Sequence, residues 1–261
     1  MTEQKYFLSL CETYDKVKFP KIVVDGVLRH ENNSLGKPIH HTYEGIQNFY
    51  KWFGKSVIVD KHGRPEVFYH GTSKDIKAFS NAFIGKGTDA YGIGHYFIND
   101  ANAASNYSVT GTQDEKYAPN VKPVYIKMEK PINYNGTDSF SALTIQKIIA
   151  SAPNHKEKLR DFGEITPKEI KKTLHLAISS YEGFPKFNQS FMLFNDFYGE
   201  DYAAEFVKAL QSSSKHDGVL TQLDGSNTKI LTVFDPKRIK SAIGNDGKFS
   251  KSSPNLIEQG N

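Results

Sequence analysis

Cysteine is almost missing from this sequence: Cys11 is the only one in 261 residues, so no internal disulfide can staple the chain and no cysteine-based zinc site can form. Arginine is scarce as well. Arg29, Arg64, Arg160 and Arg238 stand alone, so the net charge of +4 is carried overwhelmingly by lysine, a solvated point charge without the planar fork of a guanidinium. A mild lysine excess fits a solvated surface, or a footprint for an acidic or nucleic-acid partner. No apolar run approaches the roughly 20 residues needed to cross a bilayer. The stretch Met1-Thr2-Glu3-Gln4-Lys5 lacks the basic start and apolar core of a secretion signal, so the expected place of action is the cytoplasm. His40, His41, His155, His175 and His216 have no partner Cys or acidic residue at ligand spacing, and no metal site is expected. Internal repeats and long low-complexity tracts are absent too.

What is present is an ordinary globular composition, 38% hydrophobic and 13% aromatic, enough for one large core. Residues 1–41 mix a short apolar run, Ile22-Val23-Val24, with polar turns, and read as an N-terminal extension of unknown role. From 42 the pattern is that of one domain reaching 261. Ile46, Phe49, Tyr50 and Phe53 at helical spacing, with Gly54 beyond them, predict a helix over 42–53. Val57-Ile58-Val59, a turn from Asp60 to Pro65, and Glu66 to His70 predict a hairpin whose second strand ends at His70. Val124 to Met128 reads as a strand. Between 139 and 213 the texture is helical, with a capping box and a first-turn proline at Thr166-Pro167-Lys168-Glu169 and a helix over about 200–213. Two strands, Gly218 to Gln222 and Thr228 to Phe234, close the pattern. The fold class is α+β, with strands at both ends of the domain and helices inserted between them.

Two segments carry chemistry. In Phe68-Tyr69-His70-Gly71-Thr72 a strand-end imidazole precedes a glycine, which sets a hydrogen-bonding ring beside an approachable backbone amide. In Gly92-Ile93-Gly94-His95-Tyr96-Phe97, two glycines let the chain approach a ligand. The small residues Ala101, Ala103, Ala104 and Ser105 then suggest a short helix ending in Tyr107. Tyr96 and Tyr107 would face one cleft, where a π face is worth about 0.5–2 kcal/mol to a cationic ring. Taken singly, each of these residues has an ordinary structural reading. His95, on the opposite side of its strand from Tyr96, reads as exposed or structural. Gly85-Lys86-Gly87 lacks the Gly-Lys-Ser/Thr of a phosphate loop and reads as a flexible loop.

Together, His-Gly-Thr, Gly-x-Gly-x-Tyr-Phe and a Tyr eleven residues after the first resemble the ADP-ribosyltransferases of the diphtheria-toxin and poly(ADP-ribose) polymerase clan. Asp217-Gly218-Val219-Leu220, Val233-Phe234-Asp235-Pro236 and Ile239 to Phe249 resemble the domain ending found in bacteriophage polyvalent proteins. The resemblance spans roughly 42–255 and implies a split β-sheet core with inserted helices and an N-terminal helical extension. It also implies NAD⁺ as co-substrate and site roles for particular residues. His70 would bind a ribose, the Gly71 backbone would hold the nicotinamide carboxamide with Thr72 beside it, and Tyr96 and Tyr107 would enclose the nicotinamide ring.

The sequence departs from that pattern in two places. Five positions before Asp235, where the family places an acidic residue, stands Ile230, with Lys229 and Thr228 as neighbours. This matches the H-Y-I class of the clan, whose members add single ADP-ribose units. Ala104 replaces the serine that binds the carboxamide in polymerases, and Ser105 is adjacent. The resemblance therefore implies mono-ADP-ribosyl transfer to a host protein or nucleic acid in a bacterial or phage-infected cell, with His70, Tyr96 and Ile230 at the reacting centre. Two other readings stay open: a non-catalytic NAD⁺ or ADP-ribose binding module, and an NAD⁺ glycohydrolase in which water replaces the acceptor. Fold resemblance alone does not separate them.

Overall fold

A computed structural model describes residues 20–84, 94–109, 117–134, 207–208, 210–212, 216–223 and 225–257. The helix at Thr166, the loop Gly85-Lys86-Gly87 and most of the 200–213 helix lie outside the described residues, as do residues 1–19. The chain divides into two compact units: Met1–Ala78 with Asn99–Glu129 and Lys237–Asn261, and Phe79–Ile98 with Lys130–Pro236.

The first unit begins with an antiparallel hairpin, β1 (Lys21–Val24) and β2 (Val27–His30). The described part of the N-terminal extension, residues 20–41, is therefore this hairpin and the turns after it and not the expected helix, because Asp25 and Gly26 at positive φ turn the chain back on itself. Helix α1 (Tyr43–Phe53) follows. Thr42 caps it by accepting a hydrogen bond from the Gly45 N–H at 3.0 Å, an arrangement generally worth about 0.5–2 kcal/mol. Glu44 in the first turn and Lys51 in the last complement the helix dipole. The Gly54 N–H bonds to the Tyr50 carbonyl at the other end. The apolar stripe read from the sequence is the buried one. Phe49 and Trp52 are almost wholly enclosed, with Ile46, Tyr50 and Phe53 beside them, and the Phe49 ring meets Tyr125 at 4.8 Å and Phe249 at 5.2 Å. Val24 and Ile39 from the extension belong to the same cluster.

Strands β3 (Val67–Thr72), β5 (Asn120–Ile126) and β9 (Ile239–Ser241) form the sheet of this unit, antiparallel in the order β3-β5-β9. Because side chains alternate across a strand, Val67, Tyr69 and Gly71 share one face with Tyr125 and Pro123. That face carries the core cluster containing α1. Helix α2 (Ala101–Ser108) packs against β3 and β5. On the β9 edge, Lys240 is fully buried and donates from Nζ to the carbonyls of Ser253 (2.9 Å) and Asn255 (3.0 Å).

Two expectations are corrected here. The segments 57–59 and 66–70 do not form a hairpin of paired strands: an isolated bridge joins Val59 to Pro65, and the Glu66 N–H donates to the Ile58 carbonyl at 3.1 Å. The turn between them is held by the Asp60 side chain, which accepts from the N–H groups of His62 and Arg64 (both 2.9 Å) and from Arg64 Nε (2.7 Å). Strand β3 takes β5 as its antiparallel partner and runs on through Gly71 to Thr72. Likewise β5 starts at Asn120 and crosses Pro123, earlier than the expected 124.

The second unit holds β4 (His95–Ile98), β6 (Pro131–Asn133), β7 (Gly218–Gln222) and β8 (Lys229–Val233), in the order β6-β7-β8-β4. The β6–β7 pair is parallel and the others antiparallel. His95, Phe97, Leu231 and Val233 are buried on one face. There Phe79 lies 5.2 Å from both the His95 and the Phe97 rings. His95 is thus structural and enclosed, with Nε2 3.1 Å from Asn81 Oδ1. Among the described residues, strands from both ends of the sequence, in one antiparallel and one mixed set, together with two α-helices, make an α+β fold.

Candidate active site

In the first unit, the candidate residues His70, Gly71, Thr72, Ser105 and Tyr107 sit where β3 meets α2. Asp100 caps α2, its carboxylate accepting from the N–H groups of Asn102 (2.8 Å) and Ala103 (3.1 Å). A helix of this length is marginal by itself, so its position must come from packing. That packing is unusually close at Gly71. A Cβ built there would run into the carbonyl oxygen of Ala104, with the Ala104 carbonyl carbon at 2.9 Å and Ser108 N at 3.0 Å. Only glycine lets the helix lie directly on the strand. The small residues Ala104 and Ser108 are buried at this contact.

The consequence is that His70-Gly71-Thr72 and the C-terminal half of α2 are neighbours. Tyr107, one turn on from Ala104, is 64% exposed, and His70 is half-buried. Ser105 is exposed and donates its hydroxyl to the Asn102 carbonyl at 2.7 Å, within its own helix. The Thr72 hydroxyl serves the turn after β3, donating to the Lys74 carbonyl and accepting from the Lys74 N–H, both at 3.2 Å.

Register adds residues that the linear pattern did not reveal. His70 pairs with Lys122 and Thr72 with Asn120, so these four side chains leave the sheet on one face, opposite the face that Gly71 turns to α2. Lys122 Nζ donates to Asp75 Oδ1 at 2.6 Å. That hydrogen bond, and then the ammonium charge, hold the Asp75 carboxyl below the usual carboxylate range. Tyr69, on the other face, has its hydroxyl pKa pushed up by burial and by the Asp100 charge. Nothing in a single sequence signals which residue lies across a strand from His70, because the pairing joins segments far apart in the chain.

In the second unit, Tyr96 pairs with Thr232 and Ile98 with Ile230. Tyr96 and Ile230 are therefore diagonal neighbours on the same face, a spacing within reach of an aromatic ring, and both are half-buried. Gly94 precedes this strand at φ +155°, where a Cβ would lie 2.8 Å from both Thr232 Cγ2 and the Val233 carbonyl oxygen. Glycine here lets the chain enter β4 tight against β8. On the same face, across from Ile230 on β7, stands Thr221, which is buried and has no hydrogen-bond partner for its hydroxyl. Among the described residues no cluster of His, Cys, Asp or Glu could hold a metal ion. No described helix is long and apolar enough to cross a membrane.

The family described as ADP-ribosyltransferase in polyvalent proteins matches residues 60–249 of this chain. No curated protein and no solved structure gives a match.

Proposed function

The chain belongs to the family of ADP-ribosyltransferases in polyvalent proteins, and from that premise we propose that it is a mono-ADP-ribosyltransferase. It takes NAD⁺ as co-substrate, releases nicotinamide and passes one ADP-ribose to a protein or nucleic-acid acceptor in a bacterial or phage-infected cell. In this reading His70 holds a ribose, the Gly71 backbone holds the carboxamide, and Tyr96 and Tyr107 take the nicotinamide ring. Thr72 and Ser105 flank them.

The observation that carries the reading is the span of the family match, 60–249, which contains every one of these residues and Ile230. Local geometry supports it. The Gly71 contact holds the His70-Gly71-Thr72 segment next to the helix that carries Tyr107, and Tyr107 keeps most of its ring surface available to solvent and so to a ligand.

The chemistry asks little of acid–base groups. Nicotinamide in NAD⁺ is already a cationic leaving group, so the C1′–N bond breaks without a general acid. The protein's task is to stabilise an oxocarbenium-like transition state and to hold it near a nucleophile. Breaking that bond transfers its electron pair to the nicotinamide nitrogen, and the acceptor nucleophile closes on C1′. In this reading Ile230, a diagonal neighbour of Tyr96, stands at the position where other members of the resembled clan carry an acidic residue. The acceptor then supplies its own nucleophile, with no protein carboxylate at 230 to take a proton.

The test is incubation of the protein with NAD⁺ labelled in the adenosine half, with and without a whole-cell lysate, followed by protease or nuclease treatment of labelled species. Label on a macromolecule together with free nicotinamide is the expected result. Nicotinamide release without any lysate would make the protein a glycohydrolase. NAD⁺ binding with no release under either condition would make it a binding module.

A further inference from the structure

We infer that Lys122 is a further NAD⁺-binding residue whose ammonium contacts the diphosphate of the dinucleotide. The inference rests on the proposed ribose-holding role of His70. Lys122 lies directly across β3–β5 from His70, and cross-strand partners stand about 4.5–5.5 Å apart at Cβ, with their side chains on the same face. That face is graded. Phe68 and Val124 are fully buried at one end, His70 and Lys122 follow, and Thr72 and Asn120 form the polar rim. Both riboses of NAD⁺ carry the diphosphate on C5′. Whichever of them His70 holds, the nearer phosphoryl group is therefore joined to that ribose through the C5′ methylene and its ester oxygen, with the second just beyond it. A lysine's flexible four-carbon stem beside that histidine can bring its point charge to them.

The ammonium is also held in place. Asp75 accepts from Lys122 Nζ at 2.6 Å, with the lysine side chain 25% exposed and the aspartate 66% exposed, so the carboxylate stands on the solvent side of the cation. The turn that carries Asp75 is tied to the start of β5 by Asn120, whose Nδ2 donates to the carbonyls of Lys74 (3.2 Å) and Ala118 (2.6 Å). An exposed ion pair contributes little to stability by itself. A positioned cation at the strand end beside the ribose-holding imidazole has a use in binding an anion. The diphosphate competes with Asp75 for the same ammonium, so the two partners of the ion pair should affect NAD⁺ affinity in opposite directions.

The experiment is calorimetric titration of the full-length protein with NAD⁺, and with nicotinamide riboside, which carries the ring and one ribose but no phosphate. Lys122→Met is expected to weaken NAD⁺ by about tenfold, the scale of one charge-assisted hydrogen bond, and to leave nicotinamide riboside unchanged. Asp75→Asn is expected to tighten NAD⁺. The NAD⁺ difference between wild type and Lys122→Met should shrink as salt is raised. Unchanged NAD⁺ affinity in Lys122→Met, equal weakening of both ligands, or a shift of the same sign in both variants would overturn the assignment. His70→Ala measured alongside separates the two layers. If it weakens NAD⁺ while Lys122→Met does not, only the diphosphate contact fails. If His70→Ala has no effect, or the wild type binds no NAD⁺, the ribose reading fails and this inference with it.

Discussion

Gly71→Ala would drive a methyl group into the backbone of α2. The nearest atom is the Ala104 carbonyl oxygen, followed by its carbon at 2.9 Å and Ser108 N at 3.0 Å. These are backbone atoms of a capped helix, so no side-chain rotation relieves the clash and the helix must move off the strand. Overpacking of this kind costs about 1–3 kcal/mol. For a chain of this size, each kcal/mol moves the thermal midpoint by roughly 2–4 °C, which gives an expected fall of about 2–12 °C. Binding should suffer too, because the shifted helix carries Tyr107, and a tenfold loss of NAD⁺ affinity corresponds to about 1.4 kcal/mol. Differential scanning calorimetry and NAD⁺ titration on the same preparation read both effects. His70→Ala is the control. It removes the proposed ligand contact from the sheet face opposite Gly71, so it should weaken NAD⁺ by about 1–3 kcal/mol and lower the apo midpoint less than Gly71→Ala does. A Gly71→Ala protein with wild-type midpoint and wild-type NAD⁺ affinity would refute the packing argument.

Other outcomes follow from the same structure. Ile230→Glu should raise NAD⁺ hydrolysis, toward the roughly 10²-fold scale of a positioned carboxylate base, as measured by nicotinamide release; no change would mean that position 230 does not face the nicotinamide ribose. Burial alone would raise the Asp60 pKa, but hydrogen bonds from Arg64 and the His62 N–H outweigh it and leave the carboxyl depressed. The stability it confers is therefore present above its unfolded value near pH 4 and is lost as pH falls through the lower folded value. Urea melts of Asp60→Asn below pH 4 should accordingly converge with wild type, and a constant gap down to pH 2 would exclude this. Lys240→Met should cost about 1–3 kcal/mol by leaving the carbonyls of Ser253 and Asn255 without the buried ammonium that donates to them; an unchanged denaturation midpoint would contradict it.

Local signals in the sequence carried some elements accurately. The helix Tyr43–Phe53 lies within the stretch that its apolar spacing, Thr42 and Gly54 define, and β7 occupies the residues expected of it. The small residues after Tyr96 do form a helix, one residue longer than expected. What failed was partnership. Val57 to His70 reads as a hairpin because a turn separates two apolar runs. Asp60 and Arg64 satisfy that turn by themselves, leaving β3 to pair with β5 about fifty residues away. His95 gave no sign of burial, since its enclosure depends on Phe79 and Asn81, which only the folded chain brings near. The same holds for the site. His70, Gly71, Tyr96 and Tyr107 are candidates from the spacing of the motif alone, whereas Lys122, proposed beside them, becomes visible only through register, and Asp75 through its ion pair with Lys122. The closeness of Gly71 to Ala104 was hidden too, because it is a contact between backbones.

Mass spectrometry of the acceptor after reaction with NAD⁺ tests the central claim most directly. Each modified site should carry a single ADP-ribose, with nicotinamide released in equal amount, because chain growth would require a carboxylate to activate the hydroxyl of an attached ribose and Ile230 cannot supply one. Chains of ADP-ribose on one site, shortened by a chain-cleaving hydrolase, would contradict the account.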